Sequence, residues 1–311
     1  MRQYEAEVTP RFTLSMEPDG KSRLVLVNAG TPVPVSTRPI SLRLTDPMSA
    51  DYPNSTPVQD PPPVHIARPT RVFAWLKMGW QDMHAAMGIS LLHGLVVVLL
   101  SYAVIATTLL RWELVIIAAS CFVFVGPFLA TGLYAISRTL ENQERPSLSD
   151  AIKAWRHASR CLFRFGLLLV FIGAWWVGLS MVLFYFFVNV SIADPVDFLR
   201  YVLTQQDDLF ALWTIAGGLY AAVTFAITVV TMPLLTDRDV NSWVAVQTSI
   251  RAVSENPVTM VAWAMVILVL TGISFITGML GFLFLYPLMG HASWHVYREL
   301  VDASELPTYT A

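Results

Sequence analysis

Two histidines near the end of the last apolar stretch have a spacing that suits a ligand pair. His291 and His295 are four residues apart, so in a helix they share one face. His93 lies about two helical turns into the first apolar stretch, counted from the same side. Imidazole is a common ligand of haem and metal ions, so these three residues are the candidates for cofactor binding. The alternative, which we favour, is that the pair hydrogen-bonds carbonyls freed by Pro287, and no cofactor or metal is predicted.

Charged residues follow three prolines that lie within apolar stretches. Pro127, Pro233 and Pro287 each remove a backbone donor, which kinks a helix and frees a carbonyl. Such kinks either surround a central site or serve packing alone. The charges after them are Arg138, Glu141, Asp237, Arg238, Asp239 and Arg298. In a bundle they converge as a polar mouth, which is either an ion-pair network that locks loops against helices or a gated entrance for a small anion or lipid headgroup.

The sequence offers no catalytic constellation. It has no Ser-His-Asp order, no H-E-x-x-H motif and no glycine-rich phosphate loop, so no catalytic residue is assigned and an enzyme is not indicated. No carboxylate or lysine lies at the middle of an apolar stretch, where ion-coupled transporters usually keep one. A proton-coupled or sodium-coupled pump is therefore disfavoured.

The composition is that of a protein whose solvent is largely lipid. Of 311 residues, 55% are apolar and only 14% are charged, which is well below the roughly one quarter that is charged in soluble domains. The mean hydropathy is +0.56. The net charge of −2 argues against a nucleic-acid partner, and membrane lipids are the expected surroundings.

Several apolar stretches exceed the roughly 20 residues that a helix needs to cross a bilayer core. The last one, Pro257 to Tyr297, has 41 residues without Asp, Glu, Lys or Arg, and Thr271–Ser274 or Thr277–Gly278 can supply a turn within it. We therefore predict six spans, at about 85–110, 114–137, 165–193, 209–236, 257–274 and 277–297. The predicted fold is all-α, with a polytopic membrane domain over 85–302 built from three hairpins, each preceded by an amphipathic cytoplasmic helix.

Lys and Arg residues near the spans favour one face of the membrane. The favoured face has twelve of them: Arg68, Arg71, Lys77, Arg138, Arg145, Lys153, Arg156, Arg160, Arg164, Arg238, Arg251 and Arg298. The opposite face has only Arg111 and Arg200. The positive-inside rule then predicts a multi-pass protein whose N- and C-termini are both cytoplasmic.

The chain before the first span divides into two parts. Residues 1–67 hold eleven of the nineteen prolines and are predicted to be a largely disordered cytoplasmic tail. One exception is a hairpin in which Phe12–Met16 pairs with Leu24–Val27. Residues 68–84 form an amphipathic helix with two Trp residues that suits the headgroup region, unless they merely extend the first span. At the other end, residues 303–311 are a short C-terminal tail.

Four blocks of the sequence have the character of family signatures. They are F-V-G-P-F-L-A-T-G-L-Y-A-I-S-R-T-L-E-N-Q-E-R-P-S-L (Phe124–Leu148), T-M-P-L-L-T-D-R-D-V (Thr231–Val240), S-I-R-A-V-S-E-N-P (Ser249–Pro257) and P-L-M-G-H-A-S-W-H-V-Y-R-E-L (Pro287–Leu300). These blocks resemble a family of predicted prokaryotic integral membrane proteins of unknown function. The resemblance covers roughly Arg68 to Asp302 and implies a location in a bacterial inner membrane.

Members of that family have been labelled as cytochrome c oxidase subunits, and the histidines test this label. A haem–copper catalytic subunit needs about six histidine ligands from several helices. This chain has six histidines in total, and only His93, His291 and His295 lie near the bilayer. The catalytic subunit is therefore excluded.

Three functions remain after these exclusions. The first is a non-catalytic scaffold or accessory subunit of a membrane assembly, such as a respiratory one, that binds a membrane-protein partner or another copy of itself. The second is a channel or permease for a small or amphiphilic solute, suggested by the three proline-kinked spans. The third is a haem or metal carrier that uses His93, His291 and His295. The charge-poor interior favours the first.

Overall fold

A computed structural model describes most of the helical part of the protein. It describes residues 11–16, 22–27, 60–110, 126, 129–156, 160–187, 200–201 and 208–308. Pro127, most of the predicted span 114–137, the end of the span 165–193 and most of the tail 1–67 lie outside these residues. The chain divides into two units, Met1–Thr56 and Pro57–Ala311.

The first unit contains the predicted strand hairpin. Strands β1 (Arg11–Met16) and β2 (Ser22–Val27) are antiparallel, with Arg11 opposite Val27 and Met16 opposite Ser22. Alternating apolar residues on both sides of a Gly-containing turn signal in the sequence (17–20) favour this pairing. The prediction of the hairpin is confirmed, and β1 and β2 are the two strands among the described residues.

The described residues of the second unit form ten helices. They are α1 (Arg71–Ala85), α2 (Met87–Leu110), α3 (Thr131–Glu141), α4 (Leu148–Arg156), α5 (Arg160–Phe187), α6 (Asp208–Thr228), α7 (Thr231–Asp237), α8 (Ser242–Glu255), α9 (Pro257–Ile276) and α10 (Phe282–Leu300).

Four of the described segments are long and apolar enough to cross a membrane. They are Met87–Ala106, Arg160–Leu183, Ala211–Asp237 and Pro257–Ile276. Helix α10 is not among them, because its second half carries two histidines, an arginine and a glutamate. Four of the six predicted spans therefore have a counterpart among the described helices, and the six-span arrangement stays a prediction.

Each predicted amphipathic segment is a helix, and the next described helix along the chain is an apolar one. Helix α1 precedes α2, α4 precedes α5, and α8 precedes α9. The first and third of these junctions share one geometry, because each is a single non-helical residue. Ala86 has φ −120° and ψ 37°, and Asn256 has φ −125° and ψ 47°. Pro257 follows Asn256 at the first helical position, where a missing N–H costs no hydrogen bond.

Helix α1 packs closely along α10 instead of standing apart from the bundle. Val72, Trp75, Gly79 and Met83 form its buried face. A Cβ on Gly79 would lie 2.6 Å from the backbone nitrogen of Ala292, so only glycine permits this approach. The opposite side of α1 is exposed and includes Phe73 and Trp80. Its location in the headgroup region therefore stays a prediction for this outer side.

The three amphipathic helices occupy related places in the bundle. Helix α4 packs on α3, α8 packs on α6 and α7, and α1 packs on α10. The first amphipathic helix thus contacts the last helix of the chain, which closes the arrangement. Helices α3, α7 and α10 also contact one another. We call these three the return helices.

Two extended segments cross the end of the bundle where the return helices finish. The N-terminal strap (60–68) bonds to the end of α10, with His65 N donating to Leu300 O at 2.8 Å and Asp302 N donating to Pro63 O at 3.0 Å. It also bonds to the start of α9, because Ala67 N donates to Asn256 Oδ1 at 2.8 Å. Residues 60–67, assigned from the sequence to the tail, therefore belong to the ordered helical unit.

The C-terminal strap (301–308) covers the end of α7. Asp239 N donates to the carbonyl of Pro307 at 2.9 Å, and Arg238 Nη1 donates to the carbonyl of Leu306 at 3.0 Å. An isolated bridge joins Arg238 and Thr308. Both straps therefore fix the same end of the bundle.

Candidate functional site

The return helices meet at one buried carboxylate. Asp237, 4% exposed at the end of α7, lies 3.2 Å from Arg138 Nε and 3.1 Å from Arg238 Nε. Tyr297 donates its hydroxyl to Asp237 Oδ2 at 2.7 Å, and Arg298 Nη1 lies 3.8 Å from the same oxygen. We call these five residues the Asp237 hub. A buried carboxylate needs such partners, since an isolated one would be strongly disfavoured.

Each return helix contributes one arginine to the hub, either from within the helix or, for α7, from the residue that follows it. The segments T-G-L-Y-A-I-S-R (131–138), T-M-P-L-L-T-D-R (231–238) and H-A-S-W-H-V-Y-R (291–298) align when they are matched on this arginine. The residue before the arginine is then Ser137, Asp237 or Tyr297, and all three are buried polar groups in contact with other helices. Alignment on the prolines hides this repeat, because Pro233 lies nearer its arginine than Pro127 and Pro287 do.

A second carboxylate, Glu141 of α3, extends the hub along α10. Arg298 donates to Glu141 Oε1 from Nε at 3.0 Å and from Nη2 at 2.8 Å. The indole nitrogen of Trp294 donates to Oε2 at 3.0 Å. Burial disfavours the charged Arg298 side chain, but its hydrogen bonds with Glu141 outweigh burial and raise its pKa above the usual value.

The structure thus brings together five of the six charges that the sequence singled out. Arg138, Glu141, Asp237, Arg238 and Arg298 are linked by ion pairs. Asp239, the sixth, is exposed and meets the C-terminal strap through its backbone N–H. The carboxylate of Asp237 is the centre of the group, which the sequence could not single out from its neighbours.

A second polar network adjoins the hub and centres on His291. Ser90 Oγ lies 2.9 Å from His291 Nε2, and Ser137 Oγ lies 2.8 Å from His291 Nδ1. Ser137 donates to Asp82 Oδ2 at 2.7 Å, and His295 Nε2 lies 2.9 Å from the same oxygen. Four helices, α1, α2, α3 and α10, are joined by this chain of side chains. Asp82, Ser90 and Ser137 were not identified from the sequence, because only their packing partners reveal them.

The proton positions in this network follow from the chemistry of Asp82. As a carboxylate it only accepts, so the single hydroxyl proton of Ser137 is directed to it. His291 Nδ1 must then donate to Ser137, and the neutral ring accepts the Ser90 proton at Nε2. In every hydrogen bond of this network, the proton is therefore donated in the direction of Asp82. This arrangement holds the fully buried His291 in one tautomer.

The order Ser90, His291, Ser137, Asp82 is similar to that of a hydrolytic serine, base and acid. Acyl transfer needs a nucleophile that a substrate carbonyl can reach. Ser90 is completely buried between α2 and α10, so it is closed to a substrate in this structure. The network therefore joins helices and does not form an open catalytic site.

The three histidine candidates do not form a ligand set. His291 uses both ring nitrogens on serines, and His295 contacts Asp82. His93 Nδ1 contacts the Ile89 carbonyl at 2.9 Å, and its ring lies against Gly132. Within the part of the chain that the structure describes, no group of three or more His, Cys, Asp or Glu side chains could hold a metal ion. The haem or metal carrier stays a prediction.

The interpretation that the histidine pair satisfies carbonyls freed by Pro287 is wrong, because both histidines contact side chains. Pro287 lies inside α10 and leaves the Leu283 carbonyl without its helical donor. Gly94 of α2 packs directly against this carbonyl oxygen. A close helix approach, which only a residue without Cβ permits, therefore covers the freed group. Pro233 lies within α7, in the turn that ends at Asp237.

An outer ion pair joins α1 to the end of α10. Arg71 donates to Glu299 from Nε and Nη2, both at 2.6 Å, and the indole nitrogen of Trp75 donates to Oε2 at 2.8 Å. Partial burial raises the pKa of Glu299, but these hydrogen bonds lower it more, so its pKa lies below the ordinary value of 4.5. The hydrogen bond and charge of Glu299 raise the pKa of Arg71.

The comparison with known proteins concerns the middle of the chain. Residues 114–237 match the model of a family described as "Predicted integral membrane protein (DUF2189)". No curated protein and no solved structure matches the chain. The protein is an integral membrane protein with several apolar membrane-spanning helices. The match confirms the resemblance seen in the sequence blocks: over these residues the chain has the pattern of a family of integral membrane proteins of unknown function.

Proposed function

We propose that this protein is a non-catalytic scaffold or accessory subunit that binds another membrane protein through α5. One observation carries the proposal. An exposed apolar stripe runs along α5 from Phe163 through Phe171 and Trp175 to Tyr185. These 22 residue steps correspond to about 33 Å of helix, which is about the thickness of a bilayer core.

The stripe is broad and aromatic. Phe171 is 65% exposed and Trp175 is 64% exposed, and only 22% of the most apolar part of this span is buried. The opposite side of α5 packs inward through Leu162, Phe165 and Leu169. Large, rigid aromatic side chains are the residues that interfaces favour. The proposed partner is an apolar transmembrane helix of another protein, and lipid or a second copy is the alternative occupant.

The closed end of the bundle favours a rigid scaffold rather than a gated channel. Opening it would separate Asp237 from Arg138 and Tyr297, which lie on the other two return helices. Removing one partner of a buried ion pair costs about 3–5 kcal/mol, and driving a two-state protein from mostly closed to mostly open takes a differential affinity of about 5.5 kcal/mol. A small solute would have to supply that much through its own contacts.

The topology that we propose has six spans in a bacterial inner membrane, with both termini in the cytoplasm. The pairing of the N-terminal strap with the residues after α10 supports an even number of spans, because the two ends of the helical unit are hydrogen-bonded to each other. The predicted second span and α10 would add to the four candidate spans. The excess of Lys and Arg near this end supports its cytoplasmic location.

A channel or permease is the second candidate. Its support is the convergence of all three return helices on the Asp237 hub, which is where a gate between hairpins would lie. In that case, Asp237→Asn would increase leakage of a solute through vesicles that contain the protein. A scaffold would show no such leakage, although its stability would fall.

The decisive experiment is photo-crosslinking in the native membrane. A photoreactive phenylalanine analogue replaces Phe171 or, separately, Trp175, and mass spectrometry identifies the products. Leu268 of α9 is the matched control, since it is exposed on another candidate span. The scaffold predicts one partner protein, crosslinked from α5 in fixed ratio and not from Leu268. Crosslinks to lipid alone would refute it, and crosslinks to a second copy would make the protein a homo-oligomer instead.

A further inference from the structure

We propose that Arg138 is the ligand-binding arginine of an oxyanion site at the Asp237 hub, and that the site takes a phosphate or sulfate group. The charges linked by ion pairs here are three guanidinium groups, Arg138, Arg238 and Arg298, and two carboxylates, Asp237 and Glu141. Among the described residues the group therefore carries one uncompensated positive charge. A monoanionic phosphate group would neutralise this charge, and the dianion sulfate would exceed it by one.

The excess charge is located at Arg138, because the other two arginines have further partners. Arg298 holds Glu141 through two nitrogens, and Arg238 donates to the Leu306 carbonyl as well as to Asp237. The C-terminal strap therefore fixes Arg238, and the Glu141 carboxylate fixes Arg298. Arg138 shares Asp237 with Arg238 and has no other ion pair within the described ranges.

Arg138 has the geometry that a planar fork requires. Its Nε lies 3.2 Å from Asp237 Oδ1 as an ion pair, and among the described residues its guanidinium donates no hydrogen bond, so the two terminal nitrogens can bind another acceptor. Its side chain is 33% exposed, so an anion can approach from outside while Asp237 fixes the guanidinium from within. Guanidinium groups bind phosphate and sulfate through two parallel N–H donors, and a held guanidinium loses less side-chain entropy on binding.

Two sources could supply the group. Inorganic phosphate or sulfate could reach the hub from water, and the phosphate of an anionic lipid could reach it from the membrane. The hub lies at the end of the return helix α7, which is also the end of a candidate span, so both sources are near. The site does not depend on the scaffold proposal, since binding can be measured without any protein partner.

The test is the binding of each source to the full chain. For the soluble source, the thermal midpoint in detergent is measured with inorganic phosphate or sulfate against chloride at equal ionic strength. Titration calorimetry then gives the dissociation constant. Arg138→Gln should weaken binding at least about tenfold, since a pair of charge-assisted hydrogen bonds is lost. For the lipid source, retention of phosphatidylglycerol over phosphatidylcholine is measured by native mass spectrometry.

Arg251→Gln is the matched control. Like Arg138, Arg251 has a single carboxylate partner, Glu255 at 2.6 Å, but it is exposed and lies on α8. If Arg138→Gln does not fold, Arg138→Lys replaces it, because it keeps the charge and loses the fork. The site is supported if phosphate and sulfate stabilise and bind Arg251→Gln but not the Arg138 variants. It is also supported if only the retention of phosphatidylglycerol shows this pattern. No preference for either source, or an equal loss in both variants, overturns it.

Discussion

The hub end of the bundle and the outer side of α5 are stabilised in opposite ways. At the hub, the buried carboxylate of Asp237 is surrounded by partly exposed arginines from three return helices, and each charged group has a named partner. Along α5, apolar groups are exposed and only the inner side packs on the chain. The first region specifies how the helices meet, because a buried carboxylate that lost its partners would be strongly disfavoured. The second leaves its contact to the surroundings, because apolar surface accepts lipid or protein.

The first prediction would break the hub. Asp237→Ala removes the carboxylate around which three arginines and Tyr297 are arranged, so guanidinium groups repel one another and a buried hydroxyl loses its acceptor. The expected loss of stability is about 3–5 kcal/mol. Reversible unfolding in detergent measures it.

The control for the hub is the neighbouring acid. Asp239→Ala removes an exposed carboxylate and should change stability by less than about 0.5 kcal/mol. Equal losses in both variants would mean that the hub does not stabilise the bundle, and the contrast with α5 would then disappear.

The second prediction concerns the approach of α1 to α10. Gly79→Ala puts a methyl group 2.6 Å from the Ala292 backbone, which the helices can accept only by moving apart. We expect a destabilisation of about 1–3 kcal/mol, typical of overpacking. Gly88→Ala on α2 is matched, because its Cβ would meet no atom within 4 Å. It should stabilise the helix slightly, by about 0.5–1 kcal/mol.

The third prediction concerns the pH dependence of the outer ion pair between Arg71 and Glu299. The pKa of Glu299 is lower in the folded protein than in the unfolded chain. Its contribution to the free energy of unfolding is therefore fully present above the pKa of the unfolded chain and is lost as the pH falls through the pKa of the folded protein. Because Glu299 is partly exposed, the contribution is at most about 1 kcal/mol. Comparison of the unfolding free energies of the wild type and Glu299→Gln at pH 7 and pH 3 measures it. A difference that persists undiminished at pH 3 would contradict this assignment.

The fourth prediction sharpens the contrast from the side of α5. Phe171→Ala combined with Trp175→Ala should change the stability of the isolated protein by less than about 0.5 kcal/mol, because both side chains are largely exposed. The same variant should lose the proposed membrane-protein partner on purification from native membranes. If the partner still co-purified with this variant, α5 would not be the binding surface.

Much of the fold followed from local patterns. Uninterrupted apolar stretches predicted α2, α5, α6 and α9, since length and hydropathy alone decide whether a helix can cross a bilayer. Mixed apolar and charged segments predicted the helices α1, α4 and α8. The convergence of five charges also followed, because residues that end neighbouring helices at one depth must meet.

Tertiary structure alone decided which residue each polar group meets. Ser90, Ser137 and Asp82 are far apart in sequence and carry no motif, yet together with His291 they form one hydrogen-bonded chain. The sequence by itself determined that this is a membrane protein with charges gathered at one end of its helices. It could not determine that Asp237 is their centre or that α1 packs on α10, because such partners depend on helix rotation and approach, which non-local packing fixes.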